Sequence, residues 1–144
     1  MVNVFNGEAL SMCSFCDPSN GACAIRSAHL VHEHASSLGF DWPEIGGVFD
    51  KVREELDEVA AAHSDGDAEH ARKELGDLLF SVINLARFLR ADPISELDGA
   101  RARFTDRFDR VQREVERRGW IMREHSLEAL DEIWDEVKRR DTRA

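Results

Sequence analysis

The chain has no tyrosine, three prolines and three cysteines in 144 residues, and no long apolar run. Each shortage excludes something. The longest mostly apolar stretch, residues 78–89, is 12 residues long and contains Arg87, too short to cross a bilayer. No run of β-branched residues alternates with polar ones, which argues against a sheet. The cysteines, Cys13, Cys16 and Cys23, are odd in number and crowded near the N-terminus, unlike a disulfide framework. The first basic residue is Arg26, so the N-terminal stretch lacks the charged head of a secretion signal and a cytoplasmic location is expected. Positive charge is scarce as well. Lys and Arg number 19 against 29 Asp and Glu, a net charge of −10 that disfavours a general nucleic-acid binder. A phosphate remains accessible to such a chain when metal ions intervene.

What is present is helical periodicity. The pattern predicts helices over residues 24–37, 45–62 and 68–89, a fourth from Pro93, and a last one capped by Ser126 and running to about residue 139. Gly39 and Gly119 read as helix stops, and Asp65-Gly66-Asp67 as the turn between the second and third helices. Phe49, Val52, Leu56 and Val59 form one apolar stripe. Leu75, Leu78, Leu79, Val82, Ile83, Ala86 and Leu89 form another. Phe104 and Phe108 are expected in the core. The fold class is all-α, an antiparallel helical bundle.

Two acidic pairs carry the chemistry. Glu55 and Glu58 are three apart, as are Glu74 and Asp77, so each pair shares a helix face at the border of an apolar stripe. Packed antiparallel, the two helices bring four carboxylates together. A hard divalent cation relieves their repulsion, and an all-oxygen set points to Mg2+ or Mn2+ rather than zinc. Gly76, a poor helix former, is expected to admit a ligand or a neighbouring helix. The competing reading is an ordinary solvated acidic face.

Charge is also segregated. Residues 54–77 hold nine acids and two bases, and residues 101–118 hold seven arginines and four acids. An acidic cradle and an arginine-bearing helix together suit a polyphosphate. Asn84 lies two turns beyond Asp77 and is either a substrate contact or a buried hydrogen-bonding group. Trp42 and Trp134 are candidates for base stacking, with core packing as the other reading of Trp42. Cys13, Cys16 and Cys23, followed by His29, His32 and His34, offer a weaker zinc reading, since the spacing matches no strong motif.

The runs GFDWPEIGGVFDKVREELDEV, KELGDLLFSVINLARFL, ARARFTDRF and IWDEVK, in this order, resemble the MazG-type nucleoside triphosphate pyrophosphohydrolases over about residues 24–140. The resemblance implies a MazG-like helical domain over residues 24–144 behind an irregular lead of residues 1–23, assembling as a homodimer or higher oligomer such as a homotetramer. It implies Mg2+-dependent hydrolysis of a nucleoside triphosphate to the monophosphate and pyrophosphate, by water attack on the α-phosphorus. Glu55, Glu58, Glu74 and Asp77 fall on the metal ligands. Glu54 falls on the carboxylate that orients or activates water. Lys51, Arg103, Arg107, Trp134 and Lys138 fall on substrate contacts. Relatives often carry Lys in place of Arg103 and an acid in place of Lys73, and some carry two such domains in tandem. The alternative is a catalytically degenerate nucleotide-binding or scaffold domain, against which the intact acidic pairs argue.

Overall fold

The computed structural model describes residues 21–141, with side chains from residue 24 to residue 140. Every regular element among them is helical: α1 (Gly21–Ser37), α2 (Ile45–Ser64), α3 (Ala68–Phe88), α4 (Pro93–Arg117) and α5 (Leu127–Asp141), with a single 3-10 turn at Met122–Glu124. The all-α expectation holds, and each predicted helix has its counterpart. No helix among the described residues is long and apolar enough to cross a membrane.

Local chemistry sets the boundaries. Gly39 and Gly119 take φ of +84° and +69° just beyond α1 and α4, a left-handed conformation that costs glycine little and ends a helix cleanly. Asp67 caps α3 by accepting the His70 backbone N–H at 3.0 Å. Pro93 opens α4, where its missing N–H has no intrahelical partner to lose.

The chain divides into two compact units at Ser95 and Glu96. In the first, α2 and α3 form a close hairpin across the Asp65–Asp67 turn, and α1 packs on α3. The His32 ring packs on Phe80 at a tilt of 34° with centroids 4.0 Å apart, and its Nε2 lies 3.0 Å from the Phe80 carbonyl oxygen. In the second unit, Val111 and Val115 of α4 meet Ile133 and Val137 of α5, flanked by Trp120, Met122, Leu130 and Trp134.

The packed face of the hairpin differs from the expected stripes. Its buried positions are Val48, Glu55 and Ala62 on α2 and Glu74, Ser81 and Asn84 on α3. Phe49 and Leu56, and Leu75, Leu79, Val82 and Leu89, remain exposed. Periodicity finds the apolar face of a helix but does not say which neighbour covers it. Phe104 is likewise exposed rather than buried. It touches Phe108 and Trp134 at ring-centroid distances of 5.9 and 5.3 Å.

Candidate metal centre

The hairpin face packs on a heptad-like spacing, so Val48, Lys51, Glu55, Glu58 and Ala62 turn toward α3. On α3 the sequence spaces Glu74, Asp77, Ser81 and Asn84 in the same way. Because the helices run antiparallel from a shared turn, the acidic segments lie near the turn, and Val48 and Asn84 line a common cavity farther from it. A cavity of about 450 Å3 opens between them, and its walls include Glu55, Glu58, His70, Lys73, Glu74 and Asp77.

Glu55, Glu58 and Glu74 each aim one carboxylate oxygen at a common point, all three atoms within 4.8 Å of one another. Glu55 and Glu74 are buried; Glu58 is exposed. Asp77 lines the same cavity but stands outside this trio, with its Oδ2 3.9 Å from Lys73 Nζ. Two lysines balance part of the charge. Lys51 Nζ donates to Glu55 Oε1 at 2.6 Å and to Glu54 at 3.2 Å. Lys73 Nζ donates to Glu74 Oε1 at 3.2 Å. The hydrogen bond that Lys51 donates to Glu55 raises the Lys51 pKa above its usual range. Desolvation, and then repulsion from Glu55 and Glu74, raises the Glu58 carboxyl. The Lys73 hydrogen bond holds the Glu74 carboxyl below its ordinary value.

One atom is left over. Glu55 Oε2 is buried and has no hydrogen-bond partner among the described residues. A buried carboxylate oxygen without a partner is costly, and a cation bound among the three carboxylates removes that cost. The donor set therefore fits a hard divalent ion.

Gly76 was expected to admit a close neighbour, yet a Cβ there meets nothing within 4 Å. The close approach is at Gly47 instead. The Trp42 indole lies on its Cα, so that an added Cβ falls 2.5 Å from the ring. Trp42 is therefore neither in a core nor free: one face lies against α2 and the residue is 46% exposed. It borders a second cavity of about 570 Å3, walled also by Phe40, Phe80, Asn84 and Arg87, which shares Lys51 with the acidic one. Asn84 is buried and hydrogen-bonded. Its Oδ1 accepts from Arg87 Nε at 2.9 Å, while Arg87 Nη2 donates to Asp41 Oδ1 at 2.6 Å. This chain of bonds ties the loop carrying Trp42 to α3.

Arg103, Arg107, Trp134 and Lys138 all belong to the second unit. Arg107 lies over the Trp134 ring at 5.2 Å, a cation–π contact. Arg103 reaches back toward Gly99, with its Nη1 3.3 Å from where a Cβ would stand. The cysteine reading falls on side chains outside the described residues, and of its histidines His32 is engaged with Phe80. Sequence reasoning missed His70, whose Nε2 lies 2.8 Å from Glu74 Oε1. Its signal was legible, because His70 stands four residues before Glu74 on the same helix face.

Among the described residues the fold is all-helical, with three carboxylates between antiparallel helices that could hold a metal ion. More particularly, the chain carries a MazG nucleotide pyrophosphohydrolase domain, whose family model matches residues 48–115. It is 41% identical over 118 residues to the nucleoside triphosphate pyrophosphohydrolase/pyrophosphatase MazG of Thermotoga maritima, covering 82% of this chain and 45% of that protein. It is 39% identical over 120 residues to the nucleoside triphosphate pyrophosphohydrolase of Escherichia coli K12, covering 82% and 46%. The uncharacterized protein YabN of Bacillus subtilis is 33% identical over 82 residues, 56% of this chain and 17% of that protein. The chain thus spans about half the length, or less, of the curated relatives it matches.

Proposed function

We propose that the protein is a divalent-metal-dependent nucleoside triphosphate pyrophosphohydrolase, releasing nucleoside monophosphate and pyrophosphate. The observation that carries the proposal is the unpartnered, buried Glu55 Oε2 within the Glu55–Glu58–Glu74 trio. The relatives from Thermotoga maritima and Escherichia coli bear the name of this activity. Glu55, Glu58 and Glu74, with Asp77 beside them, would hold Mg2+ or Mn2+. Such an ion, when bound, neutralises phosphate oxygens and draws charge from the bond that breaks.

The chain's own groups do the rest. Glu54, 57% exposed at its side chain, orients water and takes its proton as the water oxygen bonds to the α-phosphorus. The bond from that phosphorus to the bridging oxygen breaks, and pyrophosphate leaves with the electron pair. Lys51, Arg103, Arg107 and Lys138 offset the charge on substrate and leaving group, mainly by position and electrostatics. Two rings compete for the base: Trp42, beside the cavity that shares Lys51 with the acidic one, and Trp134, under Arg107. Loss of nucleotide-induced fluorescence quenching in either Trp42→Ala or Trp134→Ala tells them apart.

A second copy of the chain covers the exposed hairpin face in this reading. Phe49 and Leu56 each follow a packed α2 position by one residue, and Leu75 and Val82 do the same on α3. In an antiparallel right-handed pair, that step turns both helices to the same side. An apolar surface of this kind marks an interface.

The activity test is a panel of canonical and modified triphosphates with Mg2+ or Mn2+, following products by chromatography. Monophosphate plus pyrophosphate supports the reading. Orthophosphate as the sole product rejects attack at the α-phosphorus, and binding without turnover leaves the degenerate domain.

A further inference from the structure

We propose that His70 is a ligand of the cation in this centre, and that its imidazole makes the centre prefer Mn2+ to Mg2+. The inference rests on the metal-binding reading of the carboxylate trio. His70 is fixed in the first turn of α3, where Asp67 accepts its backbone N–H at 3.0 Å. Its side chain lines the same cavity as Glu55, Glu58, Glu74 and Asp77. Its Nε2 lies 2.8 Å from Oε1 of Glu74, one of the three carboxylates of the trio. Adjacent donors on one octahedral ion, each about 2.1 Å from it, stand roughly 3 Å apart. Nε2 and Oε1 therefore stand no farther apart than two ligands of one ion, while His70 itself lies outside the three groups whose donor atoms are within 4.8 Å of one another, so ligation requires its ring to move toward them.

Donor chemistry then decides identity. Oxygen-only sets suit Mg2+, and an imidazole nitrogen shifts preference toward first-row transition ions. As a ligand, Nε2 offers its lone pair and the ring's proton resides on Nδ1. Lys73 Nζ reaches the same Glu74 oxygen at 3.2 Å, but its side chain is 73% exposed. An arriving divalent ion displaces it at little cost in packing. No other histidine lines this cavity among the described residues.

The test uses the full chain, stripped by chelator and loaded with Mn2+. Three-pulse electron spin echo envelope modulation should show nitrogen-14 coupling of a directly bound imidazole. His70→Gln should lose that coupling with its circular dichroism unchanged. By titration calorimetry the same variant should bind Mn2+ about tenfold or more weakly, and Mg2+ less than about threefold more weakly. Mn2+ binding without nitrogen coupling, or coupling that persists in His70→Gln, overturns the ligand assignment and leaves the metal centre standing. Equal weakening of both ions overturns the preference. If the wild type binds neither ion, the metal-binding reading itself falls.

Discussion

Glu55 brings a carboxylate into the hairpin with Oε1 held by Lys51 at 2.6 Å and Oε2 unpartnered. Glu55→Gln keeps the volume and removes the charge. It should weaken divalent-ion binding at least about tenfold, read by calorimetry, and abolish pyrophosphate release while helix content is retained. Asp77→Ala is expected to abolish release as well, and unchanged activity in either variant would remove that residue from the ligand set. Glu114 makes a different point in the second unit. Its carboxylate accepts Arg117 Nη2 and Nε at 2.6 and 2.9 Å and Arg118 Nε at 2.9 Å. These hydrogen bonds, Arg117 first, lower its pKa from 4.5 to about 2. A depressed carboxyl pKa stabilises the fold above the ordinary value, and that stability is lost as pH falls from about 4.5 to about 2. Glu114→Gln should lower the melting temperature at neutral pH. The gap from wild type should close across that acid window in thermal melts monitored by circular dichroism.

Among the elements, the loop between α1 and α2 is held at two points. Arg87 links Asn84 on α3 to Asp41, and the Trp42 ring rests on Gly47. Gly47→Ala places a methyl 2.5 Å from the indole, so the ring must move. The expected cost is about 1–3 kcal/mol of stability, by the usual penalty of overpacking. A red-shifted tryptophan emission should accompany it as Trp42 leaves the helix. Emission and melting temperature identical to wild type would show that the loop yields freely. The helices themselves were legible in the sequence, because capping residues and stop glycines act within one turn: Asp67 before α3, Gly39 and Gly119 after α1 and α4. The Trp42–Gly47 contact was not, since two adjacent glycines at a helix start have several uses.

At the scale of the whole fold, about half of the apolar side chains that gave the periodicity are left uncovered on the hairpin, while Val52, Val59, Leu78, Ile83 and Ala86 are half-buried. Val48 and Ala62 are its buried apolar positions, while Leu75, Leu79 and Val82 line up along one exposed face of α3. Leu79→Glu should turn an oligomer into a monomer in light scattering coupled to size-exclusion chromatography, with helix content maintained. A wild type already monomeric at tens of micromolar would defeat the expected assembly.

The sequence by itself determined the helices and the residue types that can hold a cation. Both are local properties: caps act within a turn, and residues three or four apart share a face whatever surrounds them. Tertiary packing decided which face of the hairpin closes. It brought Glu55, Glu58 and Glu74 together and left Glu55 Oε2 without a partner. Those outcomes depend on the angular phase and axial register of one helix against another, and periodicity along a single chain carries neither.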